Sequence, residues 1–160
     1  MKIKLRSAWI EFFVEQGYSH AITLKPNDEL RFRSVEGLHQ LFAKTHMMVD
    51  RALLGPRFTK PTRASRRSHA VAIVEGLPAS GHLHGAFRIA PEKHEQFERL
   101  FADGPTLAER NGLWRKILSG GTCHIEKMKD PEGWYDYIFK DIWNVDDTDR
   151  LVFMPPQRGF

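Results

Sequence analysis

Two sets of residues in this chain have the types and spacing to do chemistry. The run His82-Leu83-His84 places two imidazoles one residue apart. On a strand, alternate residues share a face, so both rings point the same way. Neutral imidazole is the commonest side-chain metal ligand, and such a pair can grip one divalent ion. Downstream, Tyr137-Ile138-Phe139-Lys140 sets a phenol and an ammonium three residues apart, where a helix makes them neighbours. A free phenol titrates near ~10, so it needs adjacent positive potential to act as a nucleophile at neutral pH. A metal platform followed by such a phenol suits attack on a phosphodiester. Tyr135 and Tyr18 are rival nucleophiles, although Tyr135 falls on the other side of a helix from Tyr137. The plainer alternative is two hydrogen-bonded hairpin histidines, a core tyrosine and a solvated lysine.

The elements that must position these groups can be read from the pattern. His69–Glu75 (HAVAIVE) is a buried-type strand, Gly76–Ser80 a turn, and Gly81–Ile89 the next strand. If residues 76 and 81 close this hairpin, Glu75 pairs with His82 and Ile73 with His84. Glu75, His82 and His84 then share one face, with Val71 and Ile73 beneath them. Ala70, Ala72, Val74, Leu83, Phe87 and Ile89 form the opposite, wholly apolar face. A bulge in the turn would take Glu75 out of this set.

Around the hairpin, residues 6–16 carry helical spacing closed by Gly17, and His20–Lys25 reads as a first strand. Ser34 is a candidate N-cap for a long amphipathic helix reaching Leu54. Pro91 opens a helix over about 92–101, and Thr106–Leu118 makes another before Gly120-Gly121. Thr122–Met128 is a strand. Asp130-Pro131-Glu132-Gly133 reads as a turn, Trp134–Ile142 as a helix, and Arg150–Met154 as a last strand. Strands with intervening helices and one direct hairpin imply an α+β fold: a ferredoxin-like central antiparallel sheet of about five strands, helices on one face and the site on the other.

Composition bounds the partners. A chain of 160 residues is one domain, and its 41% hydrophobic and 28% charged content is ordinary for a globular protein. No stretch of ~18 apolar residues is present, so no membrane partner is expected. The single cysteine, Cys123, excludes an internal disulfide and fits a reducing cytoplasm. The net charge of +4 is concentrated. From Arg51 to Val74 there is no acidic residue, while Arg57, Lys60, Arg63, Arg66 and Arg67 are cationic. This turn-rich basic loop, with Lys25 and Arg88, could track a nucleic-acid backbone; it could also be a solvated surface. Trp134, Trp143 and Phe58 are candidates for stacking on bases, or for core packing.

The chain resembles the HUH endonucleases, specifically the rolling-circle replication initiator (Rep-type) branch. The resemblance runs over about residues 18–143 and rests on three elements in order: Ala21-Ile22-Thr23-Leu24, then His82-Leu83-His84, then Tyr137-Ile138-Phe139-Lys140. It implies an endonuclease domain at 18–154, with a helical arm at 1–17 and a tail at 155–160. It implies Mn²⁺ or Mg²⁺ held by His82, His84 and Glu75, although imidazole also suits Zn²⁺. Tyr137 would be the nucleophile, Lys140 its cationic helper, and the product a 5′-phosphotyrosine link. The implied partner is single-stranded or hairpin origin DNA, with unwinding left to a host helicase. A single-tyrosine transposase or relaxase, and a non-catalytic nucleic-acid-binding module of the same fold, are the alternatives.

Overall fold

Alternation along one hairpin dictates the architecture. In β2 (His69–Glu75) and β3 (His82–Arg88), Ala70, Ala72, Val74, Leu83 and Phe87 join one apolar cluster, and Val71, Ile73 and Ala86 join a second. Both sets are buried, so both faces of the sheet must be covered. The computed structural model describes residues 2–106, 112–142 and 145–155.

The hairpin register is the expected one: Glu75 lies opposite His82, and Ile73 opposite His84. β1 (His20–Lys25) runs along the other side of β3 and sets Thr23 opposite His84. β4 (Thr122–Lys127) flanks β1, and β5 (Leu151–Met154) flanks β2. The sheet order is β4-β1-β3-β2-β5, antiparallel throughout. Its first four strands have the split β-α-β order of a ferredoxin-like sheet. The α+β class and the strand count are as expected.

Among the described residues, three helices cover the first face. α2 (Val35–Leu54) starts at Ser34, whose hydroxyl accepts from the Gly37 N–H at 3.0 Å. It packs on the sheet with α3 (His94–Phe101) and α4 (Gly112–Ile117). The second face also carries helices, beyond the single helical layer expected. α1 and α5 lie there, α1 at Lys2–Glu15 and α5 at Pro131–Ile138. Fully buried Phe13 joins α1 to this core, with ring centroids 5.1 Å from Phe139, 5.5 Å from Tyr135 and 5.8 Å from Phe153. Truncating such a ring costs about 3–5 kcal/mol, so α1 is packed into the domain along this side.

α5 departs from the sequence reading at both ends. The Asp130 carboxylate accepts from the Gly133 N–H at 3.0 Å, and Pro131 occupies the first helical position. The expected turn is therefore the first turn of the helix. At the other end α5 stops at Ile138, not Ile142, because Phe139 and Ile142 drop fully buried into the second core. Elsewhere the basic segment contains one short 3₁₀ stretch at Pro61–Arg66, and Pro91–Lys93 forms a 3₁₀ turn ahead of α3. The expected helix at Thr106–Leu118 is described only over Gly112–Ile117. Residues 107–111, Trp143 and the tail from 156 lie outside the described residues. Among the described residues no helix is long and apolar enough to cross a membrane.

A buried polar knot ties the basic segment to α2. Asp50 accepts from Ser68 N–H at 2.9 Å, Ser68 Oγ at 2.6 Å and Arg67 Nε at 2.8 Å. His46 Nε2–H donates to the Ser68 carbonyl at 2.9 Å. Burial pulls the His46 pKa down, partly offset by the Asp50 charge. The unfolded chain therefore takes up the extra proton, so this contribution to stability is complete above about pH 6.5 and declines as pH falls below it. Urea midpoints should be lower at pH 5 than at pH 7.5, and His46→Gln should narrow that difference. An unchanged difference would remove His46 from the explanation.

Candidate metal centre

The site forms where β2 ends and β3 begins. Glu75 is the last residue of β2, His82 the first of β3, and the turn between them brings one carboxylate and two imidazoles to one end of the second face. Gly76 makes the turn possible. Its φ is +74°, and a Cβ there would collide with the Ser80 carbonyl and lie 2.9 Å from His82 Nδ1.

Each ring is held from behind. His82 Nδ1–H donates to the Ser80 carbonyl at 2.8 Å. A carbonyl can only accept, so Nδ1 carries a proton, and in the neutral tautomer this leaves the Nε2 lone pair for a ligand. His84 Nδ1 bonds the Thr23 hydroxyl at 2.9 Å across the β1–β3 pair. Both Nε2 atoms face one oxygen: Glu75 Oε2 lies 3.7 Å from that of His82 and 3.8 Å from that of His84. The donor atoms of the three residues lie within 4.8 Å of one another, so this group can hold a metal ion. Burial, then the charges of His82, Lys140 and Lys25, hold the His84 pKa down at about 4. His84 is therefore a neutral, ligand-ready imidazole at neutral pH.

Glu75 also fits a cation through its second oxygen. The residue is only 8% exposed, and Oε1 is buried with no hydrogen-bond partner. A buried carboxylate oxygen left bare is costly, and a bound cation would satisfy it. Oε2 meanwhile accepts from Lys140 Nζ at 3.2 Å. Partial desolvation opposes the Lys140 charge, but the Glu75 hydrogen bond and charge, with the charges of Tyr137 and Asp141, together offset it and raise the pKa above its ordinary 10.5. The ammonium thus stands at the oxygen that both imidazoles face.

Tyr137 completes the group. Its ring centroid is 5.5 Å from that of His84 and 5.8 Å from that of Trp134, and Lys140 Nζ lies 4.2 Å from the Tyr137 ring centre. Trp134 fixes the helix on the sheet through Nε1–H, which donates to the Gly85 carbonyl at 3.0 Å. Lys140 lies past the end of α5, correcting the expected shared helix. A tight turn, Lys140 N–H to Tyr137 carbonyl at 3.3 Å, makes them neighbours instead. Of the chain's three tyrosines, only Tyr137 stands beside the imidazoles, 48% exposed. Tyr135 is fully buried in the second core, and burial raises its pKa. Tyr18 packs against the same core, and its pKa is raised for the same reason. Cys123 offers no rival nucleophile: burial, then the Asp103 charge, push its thiol up to about 11.

No family model, no curated protein and no solved structure matches this chain.

The expected nucleic-acid contacts divide between the two ends of the sheet. Exposed Lys25 lines a cavity of about 210 Å³ that also includes His82 and Ser80. Arg57, Lys60, Arg63, Arg66 and Arg67 precede β2, and Arg88 ends β3 opposite His69. Glu75 is six residues along β2 from His69, about 20 Å at ~3.3 Å per residue. The basic segment therefore does not flank the metal group, because β2 runs away from it toward the site. Arg67 is committed to Asp50, with its guanidinium 5.5 Å from the centre of the Phe58 ring. Phe58 is itself buried, which corrects its candidacy for base stacking. Trp134 is half-buried and bonded to the sheet.

Thr23, Ser80 and Trp134 orient the site without being legible as doing so. The Thr23 contact depends on the β1–β3 register, which no local pattern specifies. Partners behind a metal-binding imidazole are worth about 10–100-fold in affinity. Calorimetric titration with Mn²⁺ should therefore show Thr23→Val weakened about tenfold or more. Lys140→Met should bind roughly tenfold tighter, because a charge-assisted hydrogen bond no longer competes for Glu75 Oε2. No change in either variant would contradict this picture of the site.

Proposed function

We propose that this protein is a metal-dependent endonuclease and strand transferase for single-stranded DNA, acting through a 5′-phosphotyrosine link, as its Rep-type HUH resemblance implies. The observation that carries the reading is convergence: two imidazoles with free Nε2 atoms, a buried carboxylate and an exposed tyrosine meet at one end of one sheet face. The elements come from β3, β2 and the end of α5, so their meeting depends on the tertiary fold.

Glu75, His82 and His84 would hold Mn²⁺ or Mg²⁺. The ion would supply Lewis-acid stabilisation of the charge that grows on a scissile phosphate. Tyr137 Oη attacks phosphorus in line with the departing 3′ oxygen. The Oη–P bond forms and the P–O3′ bond breaks. The phenolic proton passes to solvent, and the leaving oxygen takes one up as a free 3′-hydroxyl. Lys140 contributes positive charge beside the ring. Reversal rejoins the strand without another energy source, because the phosphotyrosine conserves the bond. Lys25, which lines a cavity with His82, would contact the entering backbone. The substrate is single-stranded or hairpin origin DNA, and the biological setting is the start of rolling-circle replication of a plasmid or phage, in the cytoplasm, with a host helicase for unwinding.

Labelled single-stranded DNA should form an adduct that survives boiling in detergent when incubated with the protein and Mn²⁺. Tyr137→Phe should abolish it. Tyr135→Phe should keep it, since the Tyr135 hydroxyl is buried without a hydrogen bond and its loss leaves no partner bare. Tight binding with no adduct on any strand would leave a non-catalytic binding module.

A further inference from the structure

The far end of the sheet carries a second charged feature. A groove of about 920 Å³ opens there, and its rim includes Arg63, Arg66, Arg67, Arg88 and Lys93. Glu92 is the one carboxylate among its described lining residues. Leu53, Leu54, Ile89 and Ala90 give it an apolar wall.

Two of the guanidiniums are fixed by groups that leave their charge standing. Arg63 Nη1 donates to the Leu54 carbonyl at the end of α2, and Arg88 Nη1 to the Gln16 carbonyl beyond α1 at 3.1 Å. A neutral carbonyl orients a cation without cancelling it. Arg67 alone of these arginines pairs with a buried carboxylate, Asp50. The excess is felt by His69, whose pKa is lowered first by burial and then by the Arg88 charge. Pre-oriented cations beside an apolar wall are the combination that binds a strand through its phosphates while its bases find a non-polar surface.

His69 and Arg88 share the sheet face of Glu75, His82 and His84, at the opposite end of the same two strands. The centre of that face is closed by α1 and α5, so a strand serving both ends must pass around these helices. The separation of about 20 Å corresponds to roughly six stacked nucleotides at ~3.4 Å each.

We propose that this groove is a second anchoring site for the phosphates of single-stranded DNA, engaging the strand about six or more nucleotides from the position at the metal centre. Its spacing from the cut rests on the endonuclease reading; its binding of the backbone does not.

Fluorescence anisotropy with labelled dT20 and the full chain tests it. Arg66→Glu with Lys93→Glu should weaken binding at least about tenfold and lower the slope of log affinity against log salt by about 1.4, the release expected for two lost phosphate contacts. Lys44→Glu with Lys116→Glu changes net charge equally at exposed lysines outside the groove. That pair should stay within about threefold of the unaltered chain, because distant charges are screened. If the groove variant melts early, Arg66→Gln, which only removes the charge of an exposed side chain, should still weaken binding about threefold. Unchanged affinity in the groove variants, equal losses in both double variants, or no binding of dT20 by the unaltered chain would each overturn the proposal. The Tyr137 adduct is a separate readout. An adduct with no effect of the groove variants refutes the groove alone, and a groove effect with no adduct refutes cleavage alone.

Discussion

Glu75 is the constraint around which the site is arranged. A carboxylate that is 8% exposed must be charge-compensated or costly. Here one oxygen faces two neutral-capable nitrogens and one ammonium, and the other faces no partner. Lys140 compensates the charge only from one side. The remaining deficit leaves the group able to hold a cation. His82 and His84 by themselves are two adjacent rings; with Glu75 they bring two imidazoles and a carboxylate to one point.

The fold serves this point by rigid means. β1 and the Ser80 turn hold the two rings from behind, and the antiparallel ladder sets the height of Glu75 against His82. The second core holds α5 through Tyr135, Ile138 and Phe13. Those buried contacts are remote from the Glu75–His82–His84 group, yet they decide where Tyr137 stands. The exit of Phe139 and Ile142 into that core also ends α5 early and turns Lys140 back over the Tyr137 ring. Packing on the sheet and placement of Tyr137 and Lys140 are therefore one problem, solved by the same side chains.

Much of this was legible in the residues alone. Alternation in His69–Glu75 and the short turn after it specify the hairpin register, and with it the shared face of Glu75, His82 and His84. The bounds of β1 and β2 and the Ser34 cap followed from local chemistry. Three things did not. The start of α5 was hidden because Asp-Pro-Glu-Gly is equally good turn chemistry and helix-start chemistry; the apolar residues that follow decide it through packing. The role of Thr23 needed the β1–β3 register, a contact between residues 61 apart. The direction of β2 relative to the basic segment separates Arg57–Arg67 from the metal group, and charge counting along a sequence carries no such distance.

The central claim is that one cation sits between Glu75, His82 and His84 beside Tyr137. Crystals grown with Mn²⁺ and measured for anomalous scattering address it directly. The account predicts a single strong peak about 2.0–2.3 Å from the Nε2 atoms of His82 and His84 and from a Glu75 carboxylate oxygen, with Lys140 withdrawn from that oxygen. A peak elsewhere, or no peak with Lys140 still bonded to Glu75 at saturating Mn²⁺, would contradict it.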